Sequence, residues 1–138
     1  MIYLAPIKAL CQERYDDWKN RFEELGRVEL NVFGNLECQY FHFGIGINCY
    51  ELTGDTDSQV DYRVLSKQDI IFTTPEKWDS VTRKWKEINF FLKVVALIVI
   101  DEVHLLNESR GATLEAVVSR MKMINEERQK ANSHKIRY

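Results

Sequence analysis

The stretch VVALIVIDEVH, residues 94–104, decides the fold of this chain. Its first seven residues are all aliphatic, and such a run predicts a strand buried on both faces, as in a parallel sheet. Asp101 and Glu102 follow the run directly. Because ligands of open α/β sheets bind at the carboxyl ends of the strands, we expect both carboxylates to face a ligand.

Asp101 and Glu102 are the residue types that hydrolysis of a phosphate bond requires. We expect Asp101 to hold Mg²⁺ through the water shell of the ion, and Glu102 to orient and deprotonate the attacking water. The alternative is that both carboxylates are only solvated groups at the end of a strand, since short acidic motifs also occur by chance. The aliphatic run before them favours the functional interpretation.

Strands and helices alternate along the rest of the chain. Residues 2–5 and residues 70–73 are short apolar runs typical of buried strands. After each run, and again from Gly111 onward, apolar side chains recur at helical spacing; in the first case they are Cys11, Tyr15, Trp18, Phe22 and Leu25. We expect the polar tail from Asn125 onward to fray. The alternation predicts an α/β fold with a mainly parallel sheet flanked by helices.

The composition indicates one globular domain. The chain has 138 residues, 45% of them hydrophobic, which is enough for a sizeable core. Its net charge of −2 gives no overall attraction to nucleic acid, so binding would need a local basic face. Residues 1–6 lack the features of a secretion signal, and no apolar run is long enough to span a membrane. The three cysteines Cys11, Cys38 and Cys49 lack paired spacing, which favours reduced thiols.

Two further groups of residues, taken alone, allow both an ordinary structural interpretation and a role in binding phosphate. Thr74 can cap a helix that Pro75 begins, and free amides at such a start can also bind phosphate. Taken alone, these residues favour an ordinary helix start, because capping residues of this kind are common. Lys8, at a turn from strand to helix, is either a solvated lysine or a phosphate contact.

Residues 28–47 depart from the alternating pattern of strands and helices. The segment is rich in aromatic residues, and the turn at Gly34-Asn35 could form a hairpin. It also contains His42. This histidine and His134 are expected to be ordinary surface or partly buried residues. Of the three histidines, only His104 belongs to a motif.

Taken in order, several stretches resemble the motifs of superfamily-two DExH-box helicases of the Ski type. The matching stretches are APIKAL (residues 5–10, motif Ia), TGD and TPEKWD (residues 53–55 and 74–79, the motif Ib region), DEVH (residues 101–104, motif II) and RGATLE (residues 110–115). TRKW at residues 82–85 is most similar to the meiotic crossover (Mer-type) DNA helicases, and splicing and activating-signal-cointegrator helicases look similar here.

The resemblance implies that residues 1–138 are a partial first RecA-like (P-loop NTPase) domain of an ATP-dependent helicase that uses ATP and Mg²⁺. Because the family runs almost directly from helix to strand after Leu25, the resemblance also implies an atypical insertion at about residues 27–46. In such a domain Asp101 and Glu102 serve ATP hydrolysis, and His104 links the nucleotide state to strand binding. The residues that would lie along the nucleic-acid backbone are Pro6, Lys8, Thr53, Gly54, Thr74 and Pro75. The implied partner is nucleic acid, DNA more than RNA, and the implied setting is the nucleus and meiotic recombination.

No Gly-x-x-x-x-Gly-Lys-Ser/Thr phosphate loop occurs in the 138 residues. The resemblance places that loop and its strand before Ile2, so we expect the strand at residues 94–100 to keep an unpaired edge. Because the loop supplies most of the hold on ATP, we expect no hydrolysis by this chain alone. The alternative function is a catalytically inactive nucleic-acid-binding or interaction fragment; an unrelated α/β enzyme that uses Asp101 and Glu102 on another metal-bound substrate is a third interpretation.

Overall fold

The computed structural model describes residues 1–25, 46–54, 61–104, 111–130 and 136–138, with the side chains of residues 23–25 left out. The strands in these ranges are β1 (Ile2–Leu4), β2 (Cys49–Leu52), β3 (Ile70–Thr73) and β4 (Ile98–Ile100). The helices are α1 (Lys8–Leu25), α2 (Tyr62–Leu65), α3 (Pro75–Thr82), α4 (Asn89–Leu92) and α5 (Gly111–Lys130).

The four strands form one sheet in the order β2-β3-β1-β4, and every pair of neighbours is parallel. In this register Tyr3 of β1 lies between Phe72 of β3 and Val99 of β4. Helices connect the strands, as parallel pairing requires. The predicted α/β fold with a parallel sheet and flanking helices is therefore confirmed.

Helices cover both faces of the sheet. Because successive side chains of a strand point to opposite faces, Ile2 and Leu4 enter one core while Tyr3 and Ala5 enter the other. The first core is the larger and contains buried side chains from α3, α4 and α5, among them Trp78, Phe91 and Met121. Burial of one such large apolar side chain contributes about 1.5–3 kcal/mol.

The second core lies under α1 and is largely aromatic. Trp18 meets Phe72 edge to face, with ring centroids 5.6 Å apart, and Tyr15 meets the same ring at 5.9 Å. Cys11 is fully buried between this helix and the sheet. The helical spacing of apolar residues after Pro6 thus predicted both the helix and the face that it buries.

α3 begins as the sequence predicts. Thr74 has an extended backbone, its Oγ1 accepts a hydrogen bond from the Lys77 N–H at 3.4 Å, and Pro75 occupies the first turn. Trp78, Val81 and Thr82 share the buried face. This helix start lies directly beyond the carboxyl end of β3.

The prediction of a fraying tail from Asn125 onward was wrong for the described part of α5. The helix continues to Lys130, and both Asn125 and Arg128 are buried on it. Arg128 donates hydrogen bonds to the carbonyls of Leu92, Lys93 and Val95 at 2.9–3.1 Å. Both side chains form hydrogen bonds to backbone groups inside the domain. Their polarity therefore did not indicate exposure to solvent.

The strand predicted at residues 94–100 is shorter in the structure, and part of its outer edge forms hydrogen bonds. Val94 and Val95 belong to a turn after α4, and β4 spans only Ile98–Ile100. On its outer side the Ile98 N–H donates to the Arg137 carbonyl at 2.8 Å, and the Arg137 N–H donates to the Ala96 carbonyl at 3.0 Å. A short parallel bridge between Leu97 and Arg137 therefore pairs the first part of this edge, where the expectation of an unpaired edge was wrong.

Several predictions fall outside the described residues. They are the insertion and hairpin at residues 27–46, of which only Gly46 is described, and those on Cys38, His42, His134 and Asp55. In the described ranges, no helix combines the length and apolar character needed to cross a bilayer.

Candidate functional site

The parallel sheet brings the predicted site residues to a single edge. Each strand ends at that edge, and the residues that follow are Pro6 and Lys8 after β1, Thr53 and Gly54 after β2, Thr74 and Pro75 after β3, and Asp101, Glu102 and His104 after β4. Residues far apart in the sequence are thereby assembled into one candidate site, as expected for an open α/β sheet.

Asp101 continues the pairing of β4 by one residue, since its N–H donates to the Leu4 carbonyl at 2.9 Å. Its carboxylate has two close donors. The Tyr3 hydroxyl donates to Oδ2 at 2.6 Å, and the Glu102 N–H donates to Oδ1 at 3.0 Å. Arg14 Nε lies 3.8 Å from Oδ2. Backbone and side chain of Asp101 are thus both fixed.

The contact with Asp101 also contributes to a raised pKa of Tyr3. Burial, followed by the hydrogen bond to Asp101 and the charge of that carboxylate, raises the pKa of Tyr3 to about 12. The phenol therefore remains protonated near neutral pH and acts as the donor in the pair.

Glu102 has a backbone φ of 54°, the one positive φ of a non-glycine residue in the described ranges. This left-handed conformation is uncommon for such residues and costs about 1 kcal/mol or more, and strain of this kind concentrates at functional sites. The turn ends β4 and separates the two carboxylates. His104 Nδ1 lies 3.2 Å from Glu102 Oε2, with the His104 side chain 72% exposed.

The six candidate nucleic-acid residues differ in burial. Lys8 and Gly54 are exposed, and Pro6 and Thr74 are half-buried, so these four can meet a strand that passes along the edge. Thr53 and Pro75 are buried. Burial leaves these two mainly a role in shaping the turns.

Asp101 and Glu102 fit a cation that keeps most of its water ligands. Mg²⁺ is commonly held by one or two carboxylates together with waters and substrate phosphates. The two side chains are 25% and 36% exposed, so water reaches both. Within the described ranges, no group of three or more His, Cys, Asp or Glu residues could hold a metal. A metal that requires three or four protein ligands, such as zinc, does not fit there.

Two groups of polar residues were missed by sequence reasoning. Tyr3 and Arg14 contact Asp101, and the signal for Tyr3 was a hydroxyl-bearing residue in the strand next to β4. The second group links α3 to α5: Arg120 Nη1 donates to Asp79 Oδ1 at 2.7 Å and to Thr82 Oγ1 at 3.0 Å. Burial alone would raise the pKa of Asp79, but hydrogen bonds from Arg120 and Arg83 outweigh it and lower the pKa.

Comparison with known proteins finds one matching family model and several similar proteins. The family model described as DEAD/DEAH box helicase matches residues 1–133. Over 125 residues the chain is 50% identical to a probable ATP-dependent DNA helicase HFM1 of Xenopus tropicalis and 47% identical to that of Homo sapiens. Over 129 residues it is 42% identical to the activating signal cointegrator 1 complex subunit 3 of Bos taurus.

These relatives are much longer proteins. The matched region covers 90% of this chain and 8% of the Xenopus protein, 90% and 7% for the human protein, and 94% and 5% for the bovine protein. Among solved structures, the DUF1998 helicase MrfA matches with a TM-score of 0.67 at 21% identity, covering 99% of this chain and 18% of that chain. MrfA bound to DNA and AMPPNP matches with a TM-score of 0.66 at 24% identity, covering 89% and 15%. At these identities the structural matches show the fold.

Proposed function

This chain belongs to the DEAD/DEAH box helicase family, and we propose that it forms the magnesium-facing and nucleic-acid-facing part of the first RecA-like domain of an ATP-dependent DNA helicase. The family implies ATP as the nucleotide. The observation that carries the proposal is the shared sheet edge, where Asp101 and Glu102 follow β4 and the candidate strand contacts follow β1, β2 and β3.

Each acidic residue has a separate role in this proposal. Asp101, fixed at the end of β4, would hold Mg²⁺ through water, and the bound ion would neutralise charge on the phosphates. Glu102 would accept a proton from the attacking water. His104, which lies beside Glu102, would connect this site to the nucleic-acid path.

Nucleic-acid binding would occur along the same edge and would be independent of sequence. Lys8 can contact phosphate, and the turns at Gly54 and Thr74 can approach the backbone of a strand. DNA is the proposed partner because the relatives with the highest identities reported above are named DNA helicases, and MrfA was solved with DNA. The proposed setting is the nucleus and meiotic recombination, which rests on the similarity to Mer-type helicases.

A binding experiment on the chain itself tests this nucleic-acid role. Fluorescence anisotropy with a labelled single-stranded oligonucleotide should detect binding that weakens as salt increases. Lys8→Ala should weaken binding several-fold and lower the salt slope by about one. The matched control is Lys84→Ala, because Lys84 lies beyond the opposite end of α3 from Thr74 and away from the candidate edge.

The outcomes separate the alternatives. Equal losses for Lys8→Ala and Lys84→Ala would mean that any attraction is diffuse and would contradict the proposed path. Binding that depends on Lys8 but occurs without ATP hydrolysis would support the second function, a nucleic-acid-binding fragment.

A further inference from the structure

The carboxylate of Asp101 receives a hydrogen bond from the neighbouring strand. Tyr3 lies opposite Val99 in the parallel register of β1 and β4, two residues before Asp101 on β4. Side chains two residues apart on a strand point to the same face, so Tyr3 and Asp101 share the face under α1. The 2.6 Å distance from the Tyr3 hydroxyl to Asp101 Oδ2 is typical of a hydrogen bond to an ionised acceptor.

The position of this hydroxyl is set by packing. Tyr3 is 6% exposed, and its ring contacts Trp18 at 5.5 Å and Phe72 at 5.4 Å between centroids. Aromatic contacts of this geometry hold a ring in one orientation. The hydroxyl is therefore presented to Asp101 by a rigid core.

The two oxygens of Asp101 have different surroundings. Oδ2 accepts from Tyr3 and lies 3.8 Å from Arg14 Nε, which adds a positive charge from α1. Oδ1 accepts the Glu102 N–H. Each oxygen thus accepts one hydrogen bond and keeps a second lone pair, but Oδ2 also has the cationic Arg14 beside it. Oδ1 is therefore the oxygen better placed to take a cation as its second partner.

We propose that Tyr3 is a positioning residue for Asp101, whose hydroxyl holds Oδ2 so that Oδ1 is presented to a hydrated divalent cation. This inference rests on the proposed function, because it needs Asp101 to face Mg²⁺. Hydrogen-bond partners of metal-binding carboxylates commonly change metal affinity 10–100-fold when removed. The Tyr3 hydroxyl acts through Asp101 and needs no contact with the ion.

The test uses the complete chain and Mn²⁺ alone as the probe. Free Mn²⁺ is measured by electron paramagnetic resonance during titration of wild type, Tyr3→Phe, Tyr15→Phe and Asp101→Asn. Tyr3→Phe keeps the ring and removes the hydroxyl, so we expect Mn²⁺ affinity to fall about tenfold. Tyr15→Phe is the matched control, because Tyr15 packs on Phe72 in the same cluster, and it should leave the affinity unchanged.

A spectroscopic measurement distinguishes positioning from general loosening of the fold. With ¹³C-labelled aspartate, the Asp101 carboxyl resonance, assigned by its loss in Asp101→Asn, should shift in Tyr3→Phe and stay in place in Tyr15→Phe. In wild type, the Tyr3 hydroxyl proton should give a downfield signal that Asp101→Asn removes. This second signal needs no variant at Tyr3, so it remains informative even if Tyr3→Phe does not fold.

The results also separate failure of the inference from failure of the proposed function. If Asp101→Asn abolishes Mn²⁺ binding while Tyr3→Phe binds as wild type does, the positioning role is overturned and the metal role stands. If Asp101→Asn leaves Mn²⁺ binding unchanged, the metal role of Asp101 is wrong and the inference is overturned with it. Absence of the downfield hydroxyl signal in wild type would also overturn it.

Discussion

Arg128 carries a positive charge into the interior of the domain. It is 5% exposed, and its guanidinium donates to three carbonyls at the end of α4 and in the turn before β4. Carbonyls at the end of a helix have no partner within that helix, so they require donors from elsewhere. Arg128 supplies those donors and ties α5 to the segment that leads into β4.

Replacement of Arg128 by methionine should therefore destabilise the chain. Methionine keeps part of the apolar stem but removes the guanidinium donors from three carbonyls, of which Leu92 retains the Val95 N–H as a donor at 3.1 Å. We expect a loss of roughly 2–4 kcal/mol. Urea unfolding followed by circular dichroism measures this loss. Lys130→Met is the control, because Lys130 lies near the same helix end with its side chain 72% exposed, and its loss should change stability by less than about 0.5 kcal/mol. Equal effects of the two substitutions would contradict the anchoring role.

For single residues, the sequence predicted which side chains follow the ends of the strands better than it predicted which side chains are buried and what they contact. The acidic pair after an aliphatic run predicted two carboxylates at the end of a strand, and both residues directly follow β4. That they face a ligand stays a prediction. The burial of Arg128 and Asn125 was not predictable, because their partners are carbonyls and an N–H far along the chain. The hydrogen bond from Tyr3 to Asp101 likewise spans 98 positions and depends on strand order, which a linear pattern does not contain.

α3 and α5 are joined by an ion pair between Asp79 and Arg120. Asp79 is 6% exposed and also accepts from Arg83 one turn later at 2.6 Å. α3 begins at the candidate strand contact Thr74, and α5 is the first described element after His104. The pair therefore connects the two helices that follow the candidate contacts at the ends of β3 and β4.

This ion pair should make stability depend on pH at acidic values. The pKa of Asp79 is lowered in the folded state from an ordinary 3.8, so its contribution is fully present above 3.8 and is lost as the pH falls through the lower folded value. We expect Asp79→Asn to be less stable than wild type at pH 6 and to lose less stability on acidification to pH 3. Urea midpoints at the two pH values test this.

Asp17→Asn serves as the control for that series, because the Asp17 pair with Arg21 is exposed and lies within α1. It should follow the wild-type pH dependence closely. If Asp79→Asn also loses stability with acid as steeply as wild type does, Asp79 is not the group responsible.

The elements themselves were predictable to different degrees. α1 and the start of α3 followed from helical spacing and from Thr74-Pro75, which are local signals. The four-residue helices α2 and α4 were not anticipated, because segments this short carry no complete periodic pattern. β4 begins later than its aliphatic run because the first residues of that run complete the turn after α4.

For the whole molecule, the parallel pairing of the strands followed from the alternation of elements, while the strand order and the outer edge of the sheet did not. The bridge from Arg137 to β4 follows the apparently polar tail, so composition pointed away from pairing. Ile136 is fully buried and anchors this bridge, with its N–H donating to Asn125 Oδ1 at 2.9 Å. A single apolar residue in a polar segment was too weak a signal to predict it.

The whole chain should not hydrolyse ATP by itself. Two acidic residues without a phosphate loop bind a nucleotide only weakly. Release of phosphate from ATP in the presence of single-stranded DNA should therefore not exceed background. A malachite-green assay checks this outcome. Turnover that disappears in Glu102→Gln would contradict it and would mean that the described edge is sufficient for catalysis.

The left-handed backbone at Glu102 has a consequence for laboratory evolution. Glycine adopts this conformation without steric cost, and asparagine tolerates it well, so either replacement relaxes the main chain. Neither residue can act as a base. A library of this chain selected only for resistance to heat should therefore enrich glycine and asparagine at this position. Such variants would lack the carboxylate that the proposed function assigns to activation of water.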